Sequence, residues 1–129
     1  MRRLLNFIPL TLLVSAAMAE TPLQPVVFAF HPEWDTKALD TAIRESLSRT
    51  PSFNLMSVVT PETLVIRIPD GIATDGHEEK KLFTFTAVFF RNGDKIGVAY
   101  ETCKASAPAD CANQLASDAQ SAAGAAGAK

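Results

Sequence analysis

Two long β-rich runs, Lys81 to Arg91 and Asp94 to Cys103, flank the dipeptide Asn92-Gly93. Asn-Gly suits a two-residue type I′ turn, because both positions need positive φ. Such a turn fixes the register. Arg91 is expected opposite Asp94, followed by Phe89 with Ile96, Ala87 with Val98, Phe85 with Tyr100 and Phe83 with Thr102. These positions form one aromatic and aliphatic face. Thr84, Thr86, Lys95, Gly97, Ala99 and Glu101 fall on a thinner, more polar face, although Leu82, Val88 and Phe90 share it. A face as apolar as the first must be covered, so the chain has to supply a second layer.

The upstream sequence provides one. Leu39, Ile43 and Leu47 recur at four-residue spacing with Ala38 and Ala42 beside them. Lys37, Asp40, Arg44, Glu45 and Ser48 fall largely on the other side. The pattern predicts an amphipathic helix, capped by Asp35 or Thr36 and ended near Thr50 by Pro51. Val26 to Phe30 reads as a strand before it. Phe53 to Val59 and Thr63 to Ile68 read as strands after it, the last stopped by Pro69-Asp70-Gly71. Ile72 to Glu79 is mostly polar and reads as an exposed loop.

The first nineteen residues read as an export signal. Met1-Arg2-Arg3 is a short positive start, Leu4 to Val14 is mostly apolar, and Ala17 and Ala19 supply the small residues of a cleavage site before Glu20. The apolar run is shorter than the ~20 residues of a membrane span, and no cysteine near the cleavage point offers a lipid anchor. The expected organisation is a signal peptide over 1–19, a single domain over 20–123 and a flexible Ala/Gly tail over 124–129, in a periplasmic or secreted protein without stable membrane insertion after cleavage. Removing Arg2 and Arg3 leaves 10 basic against 14 acidic residues, a net charge of −4. The basic residues are dispersed, so the surface has no attraction for phosphate backbones or anionic lipids, and nucleic acid is not an expected partner.

An even pair of cysteines in an oxidising compartment predicts a disulfide, here between Cys103 and Cys111. In the chain-entropy treatment, so short a loop is worth ~2–3 kcal/mol. The C-x7-C spacing matches neither a redox C-x-x-C nor a zinc site. A second helix is expected from about Asp110, with Cys111, Leu115, Ala119 and Ala122 on one face. The bridge would staple that helix to the end of the last strand.

No catalytic constellation, cofactor motif or metal-ligand pattern emerges. His31, Glu33 and Asp35 alternate in one loop, and His77-Glu78-Glu79 form a second cluster. Neither has the spacing of a known ligand set, and both are accounted for by helix-start electrostatics or by solvation. The serines lack a nearby histidine, and both cysteines are committed to the bridge. Trp34 has two readings: a staple of its loop onto the core, or an anchor for a partner. It is retained as a candidate partner surface.

The elements together predict an α+β, two-layer sandwich: a mixed sheet of about five strands with two helices on one face. The segments Val26–Phe30, the Leu39/Ile43/Leu47 helix, Phe53–Ser57, Leu64–Ile68 and the Phe83–Tyr100 hairpin resemble, in their order, the amino-terminal domain of the periplasmic Tol-Pal protein TolB and related α/β domains of envelope lipoproteins. The resemblance is one of pattern and brings no catalytic residue with it. The 129 residues contain no β-propeller, so it implies contacts with another envelope protein and not the role of TolB as a whole. The functional expectation is a non-enzymatic exported binding or adaptor domain without a cofactor. The alternative is a small secreted hydrolase or ligand-binding domain with an unrecognised pocket.

Overall fold

A strand that must pair in parallel with its successor needs a crossover between them, and the first helix provides it. The computed structural model describes residues 22–127. The export signal, its cleavage point after Ala19 and the last two residues of the expected tail lie outside them. β1 (Gln24–Ala29) leads into α1 (Lys37–Arg49), which returns the chain to β2 (Phe53–Leu55), parallel to β1. β3 (Leu64–Arg67) pairs in parallel on the other side of β1. β5 (Leu82–Arg91) lies antiparallel to β3 and to the short β4 (Ala73–Asp75), which share one of its edges. β6 (Asp94–Lys104) takes the opposite edge of β5, and α2 (Pro108–Gly127) closes the chain. The result is a six-stranded mixed sheet with both helices on one face.

The expected helix stripe is the centre of the core. Leu39, Ile43 and Leu47 are fully buried with Phe28, Leu64, Ile66, Phe83, Phe85 and Phe89. Arg44 ties α1 to the end of β1. It bonds Asp40 at 3.1 Å, donates to the carbonyls of Phe28 and Phe30 at 3.3 and 3.1 Å, and lies 5.0 Å from the centre of the Phe28 ring. Ser46 donates to Asn113 at 3.0 Å and so links the two helices. Thr36 occupies the N-cap position, yet its hydroxyl turns back to the backbone of Glu33, and no side chain caps α1. The cap expected from Asp35 or Thr36 is therefore replaced by a closed turn over Glu33–Thr36.

Three further expectations are corrected. Part of the polar Ile72–Glu79 segment forms β4, because the start of β5 extends past β3 and offers Leu82–Thr84 for pairing. The second strand stops at Leu55, leaving Val58 and Val59 exposed. α2 begins at Pro108, where the missing N–H costs nothing, and runs on into the segment expected as a tail.

The hairpin carries the largest correction. Asn92 and Gly93 have φ of 53° and 84°, as a type I′ turn requires, and Arg91 does pair with Asp94. A bulge then intervenes: Phe90 pairs with Lys95 but Phe89 pairs with Gly97, so Ile96 is the extra residue. One extra residue turns every later side chain of β6 to the other face. Val88 now faces Val98, Thr86 faces Tyr100 and Phe85 faces Glu101. On β6 the helix-covered face is Gly97, Ala99, Glu101 and Cys103. Val98 and Tyr100, expected inside, lie outside.

The physical reason lies in α2. Its buried face is Cys111, Ala112, Leu115, Ala116 and Ala119, nearly all small. Small residues on a helix allow close approach only if the strand below is also thin. A Cβ placed on Gly97 would sit 3.1 Å from the Cβ of Ala122 and 3.2 Å from Phe89. The bulge puts the thinnest residues of β6 where the helix comes nearest. Gly97→Val overpacks this contact and is expected to cost ~1–3 kcal/mol, read as a lowered unfolding midpoint in urea. An unchanged midpoint would mean that α2 yields freely at this point.

The predicted bridge is present: Cys103 and Cys111 are disulfide-bonded with Cα atoms 5.5 Å apart. It joins the end of β6 to the first turn of α2. Because α2 contributes few large apolar contacts, reduction should release α2 before it disturbs the β5–β6 pairing. Hydrogen exchange with and without reductant is expected to show lost protection concentrated after Cys103. Equal loss across Leu82–Lys104 would contradict this order.

Candidate interaction surface

Because both helices lie on one side, the other side of the sheet has no layer over it among the described residues. The cross-strand pairs Val65 with Phe90, Val88 with Val98 and Thr86 with Tyr100 place an apolar stripe on this open side. Val65 is buried within it, Val88 and Phe90 are half-buried, and Val98 is exposed. Tyr100 is 80% exposed. The stripe runs to β6, whose outer edge pairs with no described strand.

Trp34 lies in the turn before α1 and is 86% exposed. The staple reading fails, since the ring does not pack on the core. The candidate partner surface is retained on exposure alone.

Under α2 is a feature that the sequence reading placed on the wrong face. Glu101 is 3% exposed, between the sheet and the helix, and its Oε2 has no hydrogen-bond partner. Burial pushes its pKa up to about 8, helped by a hydrogen bond shared with Asp118 and by the charge of Asp118. Gln114 donates to Asp118 Oδ1 at 3.1 Å. Asp118 in turn lines a groove of about 460 Å³ between β6 and α2, with Phe89, Gly97, Ala99, Tyr100 and Ala122 among its other walls.

The two histidine clusters fare differently. His31, Glu33 and Asp35 do line one cavity, of about 320 Å³, with Thr36 and Asp70 at the end of β1. Among the described residues, no group of three His, Cys, Asp or Glu side chains is placed to hold a metal ion. The Thr36 hydroxyl in this cavity is committed to the backbone of Glu33 and is not a free nucleophile. His77 and Glu79 are exposed. No described helix is long and apolar enough to cross a membrane.

Glu101 and Asp118 were illegible because the bulge determines which face Glu101 takes. A signal existed in the alternation Gly97, Ala99 against the Ala119/Ala122 stripe of α2, which matches thin strand to thin helix. The pH consequence follows from the raised pKa. The unfolded glutamate ionises near 4.5 and the folded one near 8. Stability is therefore full below pH 4.5, falls as pH rises between the two values, and levels off above 8. The fall is on the order of a few kcal/mol. Glu101→Gln removes this titration, so its denaturant midpoint should drop less than that of the parent between pH 5 and pH 8. Parallel profiles would show that Glu101 is not the group responsible.

No known protein family and no curated protein matches the chain. Among solved structures, a minor lipoprotein from Acinetobacter baumannii is similar at 15% identity and a TM-score of 0.47, covering 78% of this chain and 95% of that one. A hypothetical protein from Chlamydia trachomatis is similar at 8% identity and a TM-score of 0.35, covering 64% of this chain and 72% of that one.

Proposed function

We propose that this protein is an exported, non-enzymatic binding domain of the cell envelope that holds another envelope protein on the helix-free side of its sheet. The observation that carries this reading is the stripe from Val65 through Phe90, Val88 and Val98 to Tyr100, left uncovered by either helix. Exposed apolar patches of this kind mark contact sites, and an exposed tyrosine provides a rigid apolar ring with a polar tip. The export signal over 1–19 and the Cys103–Cys111 bridge support an oxidising compartment. The resemblance in element order to the TolB amino-terminal domain points to the same kind of work.

The test is photo-crosslinking in cells. A photoreactive residue is placed at Thr84 or Thr86 on the open side, and at Glu45 or Gln114 on the helix layer. The open-side positions should capture one defined protein, on a mature chain beginning at Glu20, and the helix-layer positions should not. Capture from the helix layer alone would overturn the assignment of the binding side.

A further inference from the structure

The open side of the sheet carries charge as well as the apolar stripe. Alternation along the strands places Arg67, Lys95 and Lys104 there, with Asp75 as the one carboxylate that the strands add to that side. All four are exposed. The ion pairs among the described residues, Arg44 with Asp40 and Arg49 with Glu45, both belong to α1. Leu82 stands between Asp75 and Lys104 in one cross-strand row, so these two are not neighbours. A basic face thus sits on a mature chain of net charge −4.

Two of the cations have a simple explanation. Lysines on an edge strand deter pairing with another sheet, and Lys95 and Lys104 lie on β6, at the edge. Arg67 is different. It sits on β3, with β1 on one side and β5 on the other, opposite Ala29 and Val88. Val98 continues the row beyond Val88. No edge needs guarding at this place. A cation in an otherwise apolar row can be covered only by a surface that brings it a carboxylate, since a buried unpaired charge opposes association. A guanidinium suits that demand, because its fork takes a carboxylate by two parallel hydrogen bonds.

We propose that the partner held on the open side is a protein whose contact surface is apolar at its centre and acidic around it, with one carboxylate set on Arg67 and others facing Lys95 and Lys104. This rests on the reading of the open side as the binding side and names the chemistry of what binds there. Two other occupants fit less well. A second copy packed face to face would set three cations against the same three, with only Asp75 to offset them. An anionic membrane would attract the cations, but Val65 is buried and Val88 and Phe90 are half-buried. Only Leu82, Val98 and Tyr100 stand out far enough to enter it, and the acidity of the rest of the chain opposes the approach.

The test keeps the photoreactive residue at Thr86 in cells and changes the charge around it. Arg67→Gln, and Lys95→Gln combined with Lys104→Gln, should each lower capture about tenfold, as the loss of close charge pairs across an interface does. Arg67→Lys should restore part of the loss. Lys37→Gln and Arg49→Gln, exposed on the helix layer, should leave capture unchanged. Unfolding midpoints in urea separate lost binding from lost fold. Should Arg67→Gln shift its midpoint, the lysine pair and Arg67→Lys decide. The captured segment, located by mass spectrometry, should hold more Asp and Glu than Lys and Arg. Capture that ignores every charge variant overturns the proposal, as does a neutral or basic captured segment or a product joining two copies of this chain. Flotation of the mature protein with vesicles of equal parts phosphatidylglycerol and phosphatidylethanolamine at ~0.15 M salt should leave it unbound. Binding there that Arg67→Gln abolishes overturns the proposal in favour of a lipid surface. Capture at Thr86 that is indifferent to charge leaves the open side standing as the binding side. Absence of capture from both Thr84 and Thr86 removes that reading and the proposal together.

Discussion

The close approach of α2 to β6 governs the rest of the molecule. A helix whose buried face is mostly alanine gains little from each contact, since burial energy scales with apolar area. It compensates by coming near, and nearness demands a strand without bulk. Gly97 and Ala99 meet that demand only because the bulge at Ile96 turns them inward. The Cys103–Cys111 bridge then holds the start of the helix beside the end of the strand. Thin strand, thin helix and covalent tie work as one device.

The same bulge explains both unusual polar features. Turning Gly97 and Ala99 inward also turns Glu101 inward, because side chains alternate along a strand. Turning Val98 and Tyr100 outward creates the apolar stripe on the open side. A single inserted residue thus sets a carboxyl under the helix and an aromatic ring in solvent. A buried carboxyl that lacks a full set of partners opposes folding, and Glu101 meets this by holding its proton well above the usual carboxylate range.

How much was legible follows from which signals are local. The α1 stripe, the Asn92-Gly93 turn, the cysteine pair and the layer architecture were readable, because each rests on spacing or turn chemistry within a few residues. The register of β6 was not. The turn fixes its first pair, Arg91 with Asp94, but the bulge at Ile96 depends on what packs against the strand from much further along the chain, Ala122 of α2 over Gly97. The wrong face for Glu101, Val98 and Tyr100 was one error, not three. β4 was missed for a related reason: Ala73, Thr74 and Asp75 have no strand pattern and pair only because β5 extends beyond β3. The missing side-chain cap on α1 reflects a competing local bond, since the Thr36 hydroxyl satisfies the backbone of Glu33 instead.

The asymmetry of the two faces bears on what such a domain can do. All of its large core side chains are spent on one interface, between the helices and the inner face of the sheet. A domain of this size buries a modest share of its surface, so it has little apolar area to spare. Val98 and Tyr100, held in solvent, therefore add little to that burial. The bridge restores part of that stability by restricting the unfolded chain and adding no surface. A fold held in this way can keep one face and one strand edge open, and an open face beside an open edge gives a partner both apolar area and backbone hydrogen bonds at one place.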